Sequence, residues 1–252
     1  MRPELAGRTA LITGASGGLG RACAEALALR GAALVINGRN AKALAEAAEA
    51  LAGYGVAVTP VAGDVGEPAV RARLASGAID ILVANAGGPP PAAFAELDPD
   101  AFRVAFETNA IAMLDLARAC LPDMRARGFG RIVTILSSAA IRPMPGLDAS
   151  AGARAAVIAA LRGPAREAAR DGVTINHILP GPIATGRTEE YLASREAEAG
   201  GAAAARAALV EDLPAARLGK PEEVGALCGY LASPLAGFVT GQSVCIDGGR
   251  SI

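Results

Sequence analysis

The chain has 252 residues, with 24 Lys and Arg against 25 Asp and Glu and a formal net charge of −1; that length suits one large domain or two small ones, and one α/β domain of this size can bury a substantial core. Apolar residues make up 52% and charged residues 19%, which excludes a disordered chain, and the balanced charge leaves no polybasic footprint for nucleic-acid phosphates. Aromatics are only 3% with no Trp, and no apolar run nears the ~18 residues a membrane span requires, so neither base-stacking platforms nor a membrane anchor is expected.

The opening Met1-Arg2-Pro3-Glu4 carries no signal-peptide pattern. The first strand-like run, residues 9–13, leads into Thr13-Gly14-Ala15-Ser16-Gly17-Gly18-Leu19-Gly20 and an expected helix over 19–30. Glycines at 14, 18 and 20 allow a tight turn and close approach of backbone to a pyrophosphate, and the helix start supplies free N–H groups. Lying between strand and helix, this loop reads as a dinucleotide site. Further strands are expected at 33–37, 56–61, 79–84, 131–136, 173–179 and 243–246, with helices at 41–52, 68–76, 100–127, 151–170 and 222–232. The strands are Val/Ile-rich without alternation, as for parallel strands covered on both faces, so the alternation predicts one doubly wound α/β domain over residues 1–252, a Rossmann fold of about seven parallel strands. Residues 185–214 are the least regular part: Ala favours helix, Gly200-Gly201 interrupts it, and a mobile, partly helical substrate lid or a loose surface excursion both fit. Cys23, Cys120, Cys228 and Cys245 are far apart, without CxxC, and His177 is the only His. Reduced, mostly buried thiols in a cytoplasmic protein and no metal site are therefore expected.

Six markers occur in order: the TGxxxGxG loop; Asp64-Val65; Ala84-Asn85-Ala86-Gly87; Asn109; Ser137; and Pro180-Gly181, with Asp247-Gly248-Gly249 beyond them. On these the chain resembles a short-chain dehydrogenase/reductase nearly end to end. The resemblance implies that Gly14, Ser16, Gly18, Leu19 and Gly20 hold the cofactor and that Asp64 and Val65 contact its adenine. It implies that Asn85, Ala86 and Gly87 brace the sheet beside the cofactor, and that Pro180, Gly181, Ile183 and Thr185 hold the nicotinamide carboxamide. It also implies a homo-oligomer, tetramer or dimer, acting on a small molecule. An acidic residue closing the second strand would bind a ribose 2′-OH and repel a 2′-phosphate; here the position is Gly38, followed by Arg39, which favours NADP(H) over NAD(H).

The family's reaction centre joins a Ser to a Tyr and a Lys spaced YxxxK on one helix. Counting forward from residues 130–133 gives Ser137, and counting back from Pro180-Gly181 puts the pair at Ser150 and Arg154. The tyrosines, Tyr54, Tyr191 and Tyr230, lie elsewhere. A phenol's pKa near 10 can be drawn toward neutrality by a cation, whereas an alkyl hydroxyl is far less acidic and shorter by a ring. Arg154 keeps the cation at the same helical spacing and is expected to bind the nicotinamide ribose hydroxyls as the family's Lys does, but it stays protonated, a poor relay member. The pattern resembles a divergent subgroup, similar to β-ketoacyl-carrier-protein reductases, with Ser and Arg replacing Tyr and Lys; Gly87-Gly88-Pro89-Pro90-Pro91 also fits it. Gly163-Pro164 should kink or break the helix that carries the pair. His177 reads as a packed structural His before a catalytic one, and Tyr191 as a lid residue before a donor over the nicotinamide; neither Ser137 nor Ser150 sits in a GxSxG hydrolase elbow with a credible His partner. Two functions follow. The first is an NADP(H)-linked oxidoreductase of atypical active site, with Ser137, Asn109, Ser150 and Arg154 as catalytic candidates. The second is a non-redox or catalytically silent nucleotide-binding protein.

Overall fold

The computed structural model describes residues 3–252, so Met1 and Arg2, part of the opening read above, lie outside the described residues. The aliphatic runs form seven strands: β1 (Thr9–Ile12), β2 (Ala33–Gly38), β3 (Val58–Ala62), β4 (Ile81–Asn85), β5 (Gly130–Ile135), β6 (Val173–Pro180) and β7 (Ser243–Ile246). They make one parallel sheet in the order β3-β2-β1-β4-β5-β6-β7. Strands β5 and β6 are buried along their whole length, because helices cover both faces; β3 and β7, at the edges, are partly exposed, β7 at alternate residues.

One face is packed by α1 (Gly18–Ala28), α2 (Ala41–Ala52) and a helix at Pro221–Ala232, through Cys23, Leu27, Leu44, Val224 and Leu231. The other is packed by α3 (Pro68–Leu74), a helix at Ala112–Ala126 and one at Asp148–Ala168, α5 and α6, through Val70, Leu116, Val157 and Leu161, while α4 (Pro99–Phe106) lies against α6. Two further helices, α7 (Gly186–Ala199) and α8 (Ala202–Glu211), precede the Pro221–Ala232 helix, α9. Chain order reverses between β1 and β4, so their C-terminal ends open the crevice where such sheets bind ligands. Among the described residues no helix is long and apolar enough to cross a membrane.

All seven expected strands form, with ends displaced by a residue or two. Two expectations need correction. The single helix over 100–127 is two, α4 and α5, joined by a π turn at Glu107–Ile111; the extra residue in that turn aims the Asn109 side chain inward, where its Nδ2 donates to the Gly87 carbonyl at 2.9 Å. Pro164 does not break α6. The proline removes one backbone donor, but the carbonyl it would have bonded, on Ala160, belongs to an exposed residue within reach of water, while Leu161, Ala165 and Ala168 anchor both sides of it in the core. Residues 185–214 are mostly helical: α7 and α8 meet at Gly200 and Gly201, with φ of +84° and +126°, and cover a small cluster of Met144, Leu192, Ala205 and Leu209.

Candidate active site

The β1–α1 turn brings its backbone against itself. A Cβ on Gly20 would lie 2.2 Å from the Gly14 carbonyl oxygen, so only glycine permits this approach. Asn85, ending β4, fastens the turn to the sheet: its backbone N–H donates to Thr13 Oγ1 at 2.9 Å, Thr13 Oγ1 donates to the Asn85 carbonyl at 2.7 Å, and its Nδ2 reaches the carbonyls of Thr13 and Gly14. Gly17 and Gly18 are exposed, and a Cβ built on Gly18 would meet the Thr185 side chain at 3.8 Å, which places the loop after β6 over the glycine turn. The result is a shallow seat floored by backbone N–H groups at the start of α1, whose donor chemistry fits a dinucleotide diphosphate. Ser16 lies beside Gly38, its Oγ 3.1 Å from where a Cβ on Gly38 would stand, and Arg39 is exposed next to it.

Other expected cofactor residues offer backbone more than side chain. Asp64 Oδ1 accepts the Gly66 N–H at 2.8 Å, leaving its second oxygen open, while Val65 is buried in the core. Gly181 packs against Asp247, Ile183 is buried against Gly219, and Pro180 closes β6. Thr185 begins α7.

The catalytic candidates converge on the loop after β4. Asn109 holds the Gly87 carbonyl, and Arg154, on α6, donates from Nη2 to the Ala86 carbonyl at 3.1 Å. Burial, then the neighbouring Arg187 cation, lowers the Arg154 guanidinium to about 10, so it remains charged at neutral pH. The Ser137 Oγ accepts the Ala139 N–H at 3.1 Å, which leaves its own proton free to donate. Ser150 is buried, and its hydroxyl donates to the Leu147 carbonyl at 3.1 Å, so that proton is engaged within the helix. Tyr54 and Tyr230 are exposed on α2's trailing turn and α9. Tyr191 is half-buried against the cluster beneath α7, and burial raises its phenol.

Arg187 escaped the sequence reading. It stands two residues after Thr185 in the irregular segment, where a lone arginine reads as surface charge; the structure turns it inward, its Nη2 donating to the Pro89 carbonyl at 2.5 Å. Ser138, next to Ser137, is buried with its Oγ unpartnered.

His177 lies within β6, 1% exposed, with Nδ1 2.7 Å from Thr134 Oγ1 on β5, as a packed structural His would. Burial, then the Arg162 charge, lowers its imidazole to about 4. The folded protein therefore binds this proton more weakly than the unfolded chain. Stability from the neutral ring is complete above about pH 6.5 and is lost as pH falls toward 4, by about 2 kcal/mol at pH 5 and about 3 over the whole window. Urea unfolding at pH 7.5 and pH 5, wild type against His177→Gln, should show this part of the acid sensitivity removed by the substitution. Equal pH dependence in the two proteins excludes a neutral buried ring as its source.

The four cysteines are free, Cys23, Cys120 and Cys228 buried and Cys245 exposed. Among the described residues no three His, Cys, Asp or Glu side chains group as a metal site.

Comparison with known proteins agrees with this architecture. A family model described as Enoyl-(Acyl carrier protein) reductase matches residues 14–251. Nodulation protein G of Azospirillum brasilense is 35% identical over 96% of this chain and 97% of its own. The 3-oxoacyl acyl-carrier-protein reductase FabG of Vibrio harveyi is 34% identical over 98% of both. The crystal structure of L-sorbose reductase from Gluconobacter frateurii, complexed with NADPH and L-sorbose, superposes with a TM-score of 0.92 at 31% identity, covering 99% of this chain and 98% of that one. With glycine turn, β4 loop and α6 in their places on a seven-stranded parallel sheet, the chain belongs to the short-chain dehydrogenase/reductase family of oxidoreductases and is similar within it to the ketoacyl-carrier-protein reductases.

Proposed function

We propose that the protein is an NADP(H)-linked oxidoreductase of atypical active site, acting on the carbonyl or alcohol of a small molecule. One observation carries this reading: the β4 loop, whose Asn85 fastens the glycine turn, also presents its next two carbonyls to Arg154 and Asn109, so cofactor seat and reaction centre share one rigid segment. When bound, the nicotinamide supplies or accepts hydride. The chain's own part is to hold the substrate oxygen with the free Ser137 proton, to keep a fixed cation at Arg154, and to brace the loop through Asn109. Since the Ser150 proton is engaged on Leu147 and Arg154 stays charged, neither is a ready general acid, and proton delivery to the oxygen falls to water or to the substrate. The absent phenol makes the reaction slow for the family, general acid–base assistance being worth about 10²–10⁴ in rate.

The Gly38-Arg39 pair supports NADP(H) over NAD(H), and the sorbose reductase neighbour was solved with NADPH. Exposed Leu235 and Phe238, just ahead of edge strand β7, support assembly as a homodimer or homotetramer. The α7–α8 pair would act as the substrate lid. The test is titration of NADPH and NADH with wild type and Arg39→Ala, followed by NADPH oxidation against a panel of ketones and aldehydes. Arg39→Ala should weaken NADPH by about tenfold, the worth of one charge-assisted contact, and leave NADH unchanged. Equal affinities in the wild type, or no response to the substitution, overturn the NADP(H) assignment. Tight NADPH binding with no turnover on any carbonyl favours the silent nucleotide-binding reading, to which the engaged Ser150 proton already lends weight.

A further inference from the structure

Three arginines among the described residues are buried, and each is provided for. Arg71 donates to Asp115, Glu107 and the carbonyls of Val65 and Gly66. Arg250 pairs with Asp212 at 2.7 Å and reaches the carbonyls of Arg142 and Pro143. Arg131 donates to the carbonyls of Ser233, Gly130 and Gly172 and lies over the Phe129 ring. Arg154 differs. Its one bond goes to Ala86, its Nε is buried with no partner, and among the described residues no carboxylate stands within ion-pair distance.

A second cation faces it. A Cβ built on Gly88 would sit 3.5 Å from Arg154 Nη1 and 3.2 Å from Arg187 Nη2, so both guanidinium groups border one small volume over Gly88. Arg187's ion-pair partner, Glu190, lies at 3.2 Å on the exposed side of α7. Two like charges at short range, one of them with a buried Nε short of a hydrogen-bond acceptor, are unfavourable by themselves and are relieved by an anion. The pair stands beside Gly87, whose carbonyl Asn109 holds, whereas Thr185 and not Arg187 is the residue of that segment nearest the glycine turn. The free charge therefore stands at the nicotinamide and substrate end of the crevice and not at the diphosphate end.

We infer that Arg154 and Arg187 form a two-arginine clamp for the carboxylate of the substrate, which is accordingly a small oxo or hydroxy acid. Planar guanidinium forks match a carboxylate through paired N–H···O bonds, and the fork on α7 adds closure to recognition, because Arg187 already ties that helix to the β4 loop through Pro89. The inference rests on the oxidoreductase reading above, and its test reads binding so that the two can fail separately.

Malonate is the probe, followed as the rise in melting temperature of the NADPH complex, with dimethyl malonate and inorganic phosphate alongside. Wild type should be stabilised by malonate and not by the ester, and Arg187→Ala should weaken malonate by about 10–100-fold, the worth of a hydrogen bond to a charged group, with Arg187→Lys retaining part of it. NADPH affinity should change by less than about threefold in both variants, and the ligand-free melting temperature checks their folding. Equal stabilisation by acid and ester, or malonate binding unmoved by Arg187→Ala, overturns the clamp even if carbonyls are reduced. A fall in NADPH affinity comparable to that for malonate assigns the pair to the cofactor, and phosphate outcompeting malonate assigns it to a phosphate group; either overturns the clamp likewise. Arg187-dependent malonate binding with no reduction of any oxo acid keeps the clamp and removes the redox reading.

Discussion

Replacing Ser150 by Tyr together with Arg154 by Lys should raise NADPH-linked reduction of simple ketones and β-ketoesters by up to about 10²–10⁴, if proton transfer limits the rate. Both positions stand one turn apart on α6, and Arg154 already reaches the β4 loop, so the helix presents the pair to the crevice without rearrangement. A Tyr at 150 gains a ring of reach over the hydroxyl now bonded to Leu147, and a Lys at 154 lowers the phenol's pKa while Arg187 adds a second cation nearby. The two changes act as a unit, so either alone should give a small part of the gain. Crowding opposes it: Ser150 is 4% exposed, and inserting a ring at a packed position typically costs about 1–3 kcal/mol. The measurement is kcat/KM for wild type, both single variants and the double variant, with NADPH affinity and melting temperature as controls. A double variant that folds and binds NADPH yet reduces nothing faster than wild type removes the slow-reductase account and brings forward a silent nucleotide-binding protein.

The parallel sheet was legible because its strands are uninterrupted aliphatic runs, a pattern that only a two-sided burial explains; Val173–Pro180, buried along its length, is the clearest instance. The glycine turn was legible because residue type and spacing carry the constraint directly. What the sequence hid is three-dimensional convergence. The π turn that aims Asn109 leaves no mark in a helical period, since one extra residue looks like continued helix. Pro164 reads as a breaker because local propensity contradicts it, yet packing on both sides overrides that local cost. Arg187 lies 33 positions beyond Arg154 in a segment without a periodic stripe, and only the fold brings both to Gly88. The departure at Ser150 and Arg154, in contrast, was readable from spacing alone, but the engaged Ser150 proton was not.

Coupling of the two ends of the crevice through one segment leads to the second large effect, expected for Gly20→Ala. The added methyl would stand 2.2 Å from the Gly14 oxygen, 2.7 Å from its carbonyl carbon and 2.9 Å from Asn85 Nδ2. Two of these are backbone atoms, with no rotamer to yield, so the β1–α1 turn must open or α1 must shift along its axis. Overpacking of this kind costs about 1–3 kcal/mol or more, which for a chain of this size lowers the melting temperature by several degrees. The displacement also strains the bonds from Asn85 Nδ2 to the Thr13 and Gly14 carbonyls, each 3.3 Å long, and tilts the helix start whose N–H groups floor the seat. NADPH affinity should therefore fall by about tenfold or more. Through Asn85 the strain passes to Ala86 and Gly87, hence to Arg154 and Asn109, so turnover at saturating NADPH should fall as well. Gly17→Ala is the control for stability: its backbone is extended, with φ −173°, and nothing lies within 4 Å of the new Cβ, so the melting temperature should stay where it was. Calorimetry and NADPH titration on both variants separate the cases. A Gly20→Ala protein that melts and binds NADPH as the wild type does would mean that the turn yields freely and is not the cofactor's seat, whereas lost affinity with turnover intact at saturation would cut the link from Asn85 to the reaction centre.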